Sequence, residues 1–562
     1  MKHANNIDNF VSTAKTSRPR IGRHITSSRI ALSALVVIIL IGATLRVLCC
    51  FWGLPLALHA DEHSIVDPAM EMLSRHSWEA LEYHRPDQFE IKLDSIIFSL
   101  FSFIAFQQPA YTAFESHPDS FLLVARLVTA AFGTLCIPLT FILAGKLANR
   151  QPGTNRAFCQ VLSAIFVSAS PILVKNSAYA TPDVVLCFII LLFTLVCMRF
   201  YKEGSIPSLI AACSLLAIAC CIKYPSVILA VALAATVIIH AVRQRLGYRT
   251  ILKRALFSLA ITCGVVFVIA PNLITDFGSV LQAVHNESRT NHAGADGLGV
   301  LGNFGFYFFT AADELTKISI VFFAIGLVNA LRNRISPVPL IICISFWICI
   351  SIPALHWERW GIPIYPFYFI AVSSGLSSLL NLRIQRLRTA RTIRISLTAC
   401  VCLISLLISL NLFLSSCCVA KYSLSPDTRS IALDWCEENG IAPENSIPDA
   451  YTPFQPNNSV SSISEIEVVD GMPHVSSDSD YAGREYFIMS SSLLNRYEKE
   501  PEKYASQLSS YYAVMNNSEL IWEKSGGGYP RSSSLIQGIE RSLQYLIAPI
   551  SPVGNDIYIY KL

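Results

Sequence analysis

The sequence IALSALVVIILIGATLRVLCCFW at residues 30–52 is followed closely by LHADEH at residues 58–63. The first segment is long enough to cross a lipid bilayer as an α-helix, which takes about 20 apolar residues. The second segment carries two adjacent carboxylates, Asp61 and Glu62, where the chain leaves that span. Ionisable groups at a membrane boundary are costly and often functional, although a plain solvated loop could also carry two charges. The distribution of the other polar residues favours a functional site.

Composition places the whole chain among multi-span membrane proteins. Its 562 residues are 53% hydrophobic and only 15% charged, and the mean hydropathy is +0.48. A soluble protein of this length could not cover so many apolar side chains with polar surface. The net charge of +4 is too small to indicate a nucleic-acid partner.

The cysteines and histidines predict no metal site. Most of the 17 cysteines lie inside apolar runs, where Cys behaves as a small buried hydrophobic residue. A zinc site typically needs cysteines in CxxC spacing, whereas pairs here such as Cys49-Cys50 are adjacent in sequence. In one loop His285, Glu287, His292 and Asp296 resemble metal ligands, but their spacing is irregular. The sequence therefore predicts no disulfide framework and supports no metal or other cofactor.

Apolar runs predict eleven membrane spans. They lie at about 30–52, 119–147, 157–175, 181–200, 206–222, 225–242, 252–272, 316–331, 337–354, 363–380 and 394–417. Basic residues cluster in the N-terminal tail and in every second connection, as the positive-inside rule requires of cytoplasmic segments. We therefore expect a multi-pass protein of the inner or plasma membrane with a cytoplasmic N-terminus. The first run is followed by no cleavage-site pattern, so we interpret it as a retained span.

Residues 93–107 form an apolar run that we leave out of this count. The segment LDSIIFSLFSFIAFQ has about 15 residues, and counting it would place the basic connection at 146–156 outside. We interpret it as an interfacial or re-entrant helix on the outer leaflet. The competing topology counts it as a twelfth span.

The chain divides into three predicted parts. Residues 1–29 form a basic cytoplasmic tail, and residues 30–417 form the membrane domain. That domain has a first outer loop at 53–118 and a second long outer loop at 273–315. Residues 418–562 are rich in Ser, Asn, Tyr and Glu, contain no spanning run, and are expected on the outer, extracytoplasmic side.

Local patterns predict a small α/β domain in this last part. Asp427 precedes an amphipathic segment and is predicted to cap a helix. Residues 486–489 (YFIM) and 557–560 (IYIY) have the composition of short strands.

On this topology a set of charged and histidine side chains falls on the outer side of the membrane. They are Asp61, Glu62, Lys92, His117, Arg126, Asp183, Lys223, His356 and Arg359. Carboxylates can position and deprotonate a hydroxyl, whereas Arg and Lys bind phosphate. Some of these residues also have a purely structural explanation. Arg126 can extend its side chain to the lipid headgroups, and Asp183 can complement a helix dipole. Taken together, the residues indicate an amphiphilic phosphate ligand whose tail lies between helices.

Three segments carry a resemblance to a known family. They are ARLVTAAFGTLCIPLTFILAGKLA (125–148), SASPILVKNSAYATPDVVL (168–186) and CCIKYPSVILA (220–230), and they follow the Asp-Glu pair and the long first outer loop. With these features the chain resembles the dolichyl-phosphate-mannose protein mannosyltransferase family. That family also contains aminoarabinose transferase and related lipid-carrier-dependent glycosyltransferases. The resemblance is best over residues 30–272.

The resemblance implies a glycosyltransferase C-type fold with its active site on the outer face. Members transfer a sugar, a hexose or a pentose, from a polyprenyl-phosphate carrier to a hydroxyl of a lipid, glycan or protein, with inversion at the anomeric carbon. By similarity, Asp61 is the candidate general base or acceptor-positioning residue, with Glu62 beside it and Asp183 as a second acidic residue. Phosphate binding would fall to Arg126, Lys92, Lys223 and Arg359, and His117 and His356 are further candidates. Relatives often carry Arg-Tyr where this chain has Arg359-Trp360.

The sequence is also compatible with other functions. The loop at 273–315 is too short for the extra lumenal domain of eukaryotic protein O-mannosyltransferases, so a bacterial enzyme that modifies cell-envelope lipids or polysaccharides fits better. A non-catalytic scaffold that binds the carrier lipid is the main alternative. A transporter or flippase would be expected to show inverted repeats and interrupted helices, and the sequence suggests neither. The identities of the sugar and the acceptor do not follow from the sequence.

Overall fold

The computed structural model describes residues 21–83, 86–151, 153–287, 298–333, 335–380, 390–456 and 460–562. Residues 1–20 of the predicted basic tail lie outside these described residues, as do His292 and Asp296. The first half of the chain contains helices α1 (Ile21–Cys49), α2 (His63–Ser74), α3 (Gln88–Ala105), α4 (Ala110–Ser116), α5 (Pro118–Ala148), α6 (Arg156–Ser168), α7 (Pro171–Asn176), α8 (Pro182–Glu203), α9 (Ile206–Ile222), α10 (Leu229–Arg243) and α11 (Tyr248–Ile269). The helices that follow are α12 (Asn272–Thr275), α13 (Phe277–Glu287), α14 (Gly299–Glu314), α15 (Ser319–Arg332), α16 (Val338–Ser351), α17 (Tyr365–Leu380) and α18 (Ala390–Ser423).

The helices confirm a polytopic α-helical membrane protein. Among the described residues, 7 helices are long and apolar enough to cross a bilayer, or 8 if the bent pair α14–α15 forms one span. Three shorter apolar helices, α6, α9 and α16, coincide with further predicted spans. The total of eleven spans stays a prediction. Helix α3 includes residues 93–105 of the ambiguous run and is not among these candidate spans. Its interfacial or re-entrant placement stays a prediction.

One of the predicted spans is interrupted, although the sequence predicted a continuous helix there. The run at 157–175 is split into α6 and α7, where the Ser170 hydroxyl accepts a hydrogen bond from the Leu173 N–H and Pro171 begins the new helix. Proline has no N–H to continue α6, and its fixed φ suits a first helical turn. Helix α15 is bent by 108° relative to α14. The predicted second outer loop at 273–315 contains α13, α14 and most of α12.

Helices α15 and α17 approach each other unusually closely. Gly326 on α15 and Gly375 on α17 face each other, and a methyl group on either one would overlap a backbone carbonyl of the opposite helix. Small residues at such crossings let membrane helices gain van der Waals contact between their backbones. This contact fixes α17 and, through it, the 3₁₀ segment Glu358–Ile364 that leads directly into α17.

We expect Gly375→Ala to lower the stability of the purified protein by about 1–3 kcal/mol, because the added methyl group overpacks the α15–α17 contact. The change is measured as the free energy and midpoint of thermal unfolding in detergent. Gly264→Ala in α11 is the control, since nothing lies within 4 Å of its added methyl group. Equal stability of the two variants would contradict the close approach of these helices.

The C-terminal part forms a small α/β domain, as predicted. Its elements are α19 (Thr428–Glu438), β1 (Ser446–Pro448), β2 (Ile466–Val469), β3 (Met472–Val475), β4 (Tyr486–Ser490), α20 (Ser491–Tyr497), α21 (Ala505–Asn517), β5 (Glu519–Lys524), α22 (Leu535–Ile547) and β6 (Ile557–Lys561). Four strands form a sheet in the order β1-β4-β6-β5, with β1 parallel to β4 and the other pairs antiparallel. Strands β2 and β3 form a separate antiparallel hairpin. The two predicted strands and the Asp427 helix cap are confirmed.

Candidate functional site

The Asp61-Glu62 pair lies in the loop between α1 and α2. The backbone N–H of Asp61 donates to Nδ1 of His59 at 3.2 Å. The imidazole of His59 packs on the ring of Tyr179, with the ring centroids 4.4 Å apart, and Tyr179 also contacts Trp52. Aromatic contacts and a local hydrogen bond thus fix the backbone that presents the Asp61 carboxylate.

Glu62 forms a fully buried ion pair with Arg126. Both of its carboxylate oxygens accept from the guanidinium of Arg126 on α5, at 2.7 and 2.8 Å. A remaining N–H group of Arg126 donates to the backbone carbonyls of Cys50 and Trp52. Glu62 also accepts from the N–H of Ala180, just before α8. This pair therefore ties the end of α1, the Asp61 loop and the entry to α8 to α5.

Asp61 belongs to a second set of four charged side chains. Its carboxylate is in contact with the guanidinium of Arg359, in the 3₁₀ segment before α17. The Arg359 Nε lies 3.9 Å from Oδ2 of Asp183, in the first turn of α8. The ammonium of Lys223, between α9 and the 3₁₀ segment Tyr224–Ile228, donates to the other oxygen of Asp183 at 2.6 Å. We call Asp61, Arg359, Asp183 and Lys223 the acid–base cluster.

Exposure differs along this cluster. The side chains of Asp61 and Arg359 are 25% and 23% exposed, whereas Asp183 and Lys223 are buried. The alternating carboxylates and cations balance each other, so the set has no net charge at neutral pH. The arrangement can accept an anion at its cations while freeing a carboxylate to act as a base.

The other predicted site residues make different contacts. The Lys92 ammonium contacts the backbone carbonyl of Ile269 and lies 5.3 Å from the centre of the Trp78 ring. His117 stacks on Phe106 at 4.6 Å with nearly parallel rings. His356 packs edge-on against Phe306, also at 4.6 Å. Within the described part of the chain, no group of 3 or more His, Cys, Asp and Glu side chains is arranged to hold a metal ion.

Arg46, the only charged residue in the predicted first span, was not among the predicted site residues. Its guanidinium is fully buried and donates to the backbone carbonyls of Gly42, Val167 and Ser168 and to the hydroxyl of Ser177. It therefore satisfies carbonyls at the end of α6, where the helix is interrupted. A lone arginine in an apolar run was the available signal, because such a residue must find partners inside the bundle.

Two arginines of the C-terminal domain also reach the site loops. The guanidinium of Arg429 donates to the carbonyl of Leu58 at 3.2 Å, three residues before Asp61, and is held by the carboxylate of Asp427. Arg531 donates to both carboxylate oxygens of Glu358 at 3.0 and 3.1 Å, next to Arg359. Local sequence patterns contain no signal for contacts between residues more than 150 positions apart.

The protein thus has a helical membrane bundle, a small α/β domain and a cluster of paired charges near their junction. A model of the family described as dolichyl-phosphate-mannose-protein mannosyltransferase matches residues 120–274. This range includes Arg126, Asp183 and Lys223. It confirms that the chain resembles this family of lipid-carrier-dependent glycosyltransferases. No curated protein sequence matches the chain.

The chain is similar to several solved structures. The archaeal oligosaccharyltransferase AglB from Archaeoglobus fulgidus, solved with an inhibitory peptide and a dolichol-phosphate, aligns over 94% of this chain and 88% of its own with a TM-score of 0.51 and 12% identity. ArnT from Cupriavidus metallidurans, bound to undecaprenyl phosphate, aligns over 75% of this chain and 74% of its own with a TM-score of 0.39 and 14% identity. The arabinosyltransferase EmbB from Mycobacterium smegmatis aligns over 71% of this chain and 33% of its own with a TM-score of 0.41 and 12% identity. The likeness to AglB shows that the chain has a glycosyltransferase C-type fold.

The protonation state of His59, in the loop that carries Asp61, depends on folding. Burial lowers the pKa of His59 to about 4, from a usual value near 6.5. Between these two values the unfolded chain binds a proton at His59 and the folded chain does not. Stability from this group is therefore present above pH 6.5 and is lost as the pH falls toward 4.

We expect His59→Asn to reduce the loss of stability on going from pH 7 to pH 5, because Asn cannot take up the proton but can still accept from the Asp61 N–H. The measurement compares the thermal unfolding midpoints of the variant and the unmodified protein at the two pH values. An identical pH dependence in the two proteins would show that folding does not hold His59 in its neutral form.

Proposed function

We propose that this protein is an inverting glycosyltransferase. It would move a sugar from a polyprenyl-phosphate carrier to a hydroxyl of a lipid, glycan or protein. The observation that supports this most strongly is the acid–base cluster, in which Asp61 and Asp183 contact Arg359 and Lys223 across four separate segments of the chain. The family match and the fold support the same reaction class.

The proposed reaction uses the two halves of the cluster differently. Arg359 and Lys223 would bind the carrier phosphate, and the arriving phosphate would compete with the carboxylates for these cations. Asp61, released from Arg359, would take the proton of the acceptor hydroxyl as its oxygen attacks the anomeric carbon. The bond between that carbon and the phosphate oxygen breaks, and the carrier phosphate leaves with both bonding electrons. The cations stabilise the charge that develops on this leaving group.

The remaining candidates take supporting roles in this proposal. Glu62 and Arg126 satisfy each other in a buried pair, so phosphate binding at Arg126 would require that pair to open. Their proposed role is to hold Asp61 in place. Lys92 would have to leave the carbonyl of Ile269 to reach a carrier phosphate.

The proposed topology follows from the charge distribution of the sequence. The N-terminus would be cytoplasmic, with the acid–base cluster on the outer face of the inner or plasma membrane. Residues 30–417 would form the membrane domain, and residues 418–562 the extracytoplasmic domain above it. The hydroxyl acceptor would then be a molecule of the cell envelope.

A carrier-lipid scaffold and a transporter or flippase remain the competing functions. Interrupted helices are also a feature of transporters, and α6–α7 and α14–α15 are interrupted here. Helix geometry therefore does not distinguish a transporter from an enzyme. Transfer of the sugar itself does, because only an enzyme consumes the donor.

We expect Asp61→Asn to reduce sugar transfer by a factor of about 100 or more, since Asn cannot accept the proton of the acceptor. Membranes with the unmodified protein or the variant receive a panel of radiolabelled polyprenyl-phosphate sugars, and label is counted in lipid, glycan and protein fractions. Asp67→Asn is the control, because Asp67 pairs with His63 on the exposed side of α2. Thermal unfolding establishes that both variants are folded.

Transfer that needs the unmodified protein and survives Asp67→Asn would support the enzyme and identify the acceptor type. Full activity in folded Asp61→Asn would contradict the role of Asp61 as the base. Binding of carrier lipid without consumption of any donor would favour the scaffold.

A further inference from the structure

A polar cavity lies where the C-terminal domain meets the membrane domain. Its volume of about 340 Å³ is within the range of roughly 300–1,000 Å³ that is usual for small-molecule sites. Five segments line it: the start of α7, the end of α14, Glu358, α18 and residues 529–533. Apart from Pro171, Ile172 and Pro530, the lining residues carry polar side chains. We call this space the junction cavity.

Contacts between the two domains hold the cavity wall formed by residues 529–533. Arg531 donates to both carboxylate oxygens of Glu358 and to the hydroxyl of Tyr529 at 3.0 Å. The Ser533 carbonyl accepts from the backbone N–H of Lys317, which follows α14, at 3.4 Å. The cavity therefore has a defined shape, as a binding site requires.

A buried amide in the cavity wall lacks a hydrogen-bond partner. Asn411 of α18 is only 4% exposed, and its Oδ1 accepts no hydrogen bond within the described part of the chain. Buried polar atoms in folded proteins almost always have a partner, either in the protein or in something bound to it. Asn411 thus indicates that the junction cavity holds a polar occupant.

The charges of the lining residues restrict what this occupant can be. They include three carboxylates, those of Asp313, Glu314 and Glu358, and among the described lining residues Arg531 is the only cation. Arg531 is already engaged by Glu358, so an anionic ligand would find no available cation.

The remaining lining groups match a ligand that carries several hydroxyls. Oε2 of Glu314 accepts from the hydroxyl of Ser170 and the N–H of Ile172, which orients this carboxylate in the cavity wall. Carboxylates accept hydrogen bonds, whereas the Asn411 amide and the serine hydroxyls both donate and accept. The hydroxyls of a neutral sugar also do both, while an ammonium group can only donate.

We infer that the junction cavity binds a neutral sugar residue. This deepens the proposed function and rests on it for the origin of the sugar. The donor sugar is attached to the carrier phosphate, which the proposal places at Arg359 and Lys223. A second sugar in the cavity, on the other side of the segment that carries Glu358 and Arg359, belongs to the acceptor. The acceptor is therefore a glycan.

Binding of free glycosides tests this inference without any donor. The full-length protein is reconstituted in nanodiscs of phosphatidylethanolamine and phosphatidylglycerol, so that no sugar-based detergent competes. Saturation-transfer difference NMR is recorded with methyl glycosides of neutral hexoses, pentoses and N-acetylhexosamines. Methyl glucuronide and methyl glucosaminide serve as the anionic and cationic comparisons.

The variants are Asn411→Leu, Asp313→Asn and, as the control, Ser409→Leu. Ser409 lies on the same helix two residues before Asn411 and lines a different, apolar groove. Asp313 is exposed, so its replacement by the isosteric Asn leaves the packing unchanged. Thermal unfolding is measured for each variant, and we expect Asn411→Leu to be as stable as the unmodified protein, because it removes an amide oxygen that has no partner.

We expect a signal from at least one neutral glycoside and a weaker one from the glucuronide, whose carboxylate meets Asp313 and Glu314. Asn411→Leu reduces the neutral signal by about fivefold or more, as expected for lost hydrogen bonds, Asp313→Asn reduces it as well, and Ser409→Leu retains it. No signal from any neutral glycoside would overturn the inference. So would an unchanged signal in folded Asn411→Leu, or a signal from the glucosaminide alone.

The result is separable from that of the proposed enzyme. Glycoside binding at the cavity without any sugar transfer would contradict the transferase and the assignment to an acceptor, but would leave the sugar site in place. Transfer of label into lipid or protein fractions without glycoside binding would support the transferase and overturn the junction cavity as a sugar site.

Discussion

The buried pair between Glu62 and Arg126 is the interaction on which the site depends. It joins the loop after α1 to α5 and to the entry of α8, and it lies where water cannot compensate a lost partner. Removing one member of such a pair leaves an uncompensated buried charge and costs about 3–5 kcal/mol. The neighbouring residue Asp61 is thereby fixed in backbone position while its own carboxylate stays partly exposed. One residue of the Asp-Glu motif is thus structural, and the other is available for chemistry.

The C-terminal domain contributes a second layer of support. Arg429 holds the carbonyl of Leu58 on the Asp61 side, and Arg531 holds Glu358 on the Arg359 side. The C-terminal domain therefore holds both segments that form the contact between Asp61 and Arg359. In the proposed reaction these contacts would set how readily Arg359 exchanges Asp61 for a phosphate.

Sequence patterns predicted the helical membrane class, the small α/β domain and a set of polar residues that includes the whole acid–base cluster. They succeeded because apolar length, helix caps and strand composition are local properties of the chain. They failed where partners are distant in sequence. Nothing local distinguishes Glu62, which pairs with Arg126, from Asp61, which pairs with Arg359. The helix break at Ser170 was also overlooked, although Pro171 marks it, because the run at 157–175 is long enough to be interpreted as one span.

The most direct test of the account is whether the acid–base cluster binds the carrier phosphate. Affinity for undecaprenyl phosphate and for the uncharged alcohol undecaprenol is measured on the purified full-length protein by native mass spectrometry, for Lys223→Gln and for the control Lys202→Gln on the exposed end of α8. We predict that Lys223→Gln loses about 10-fold or more of the preference for the phosphate, as expected for a lost charge-assisted hydrogen bond, while Lys202→Gln keeps it. An unchanged preference in folded Lys223→Gln would place the carrier phosphate elsewhere and contradict the role given to the cluster.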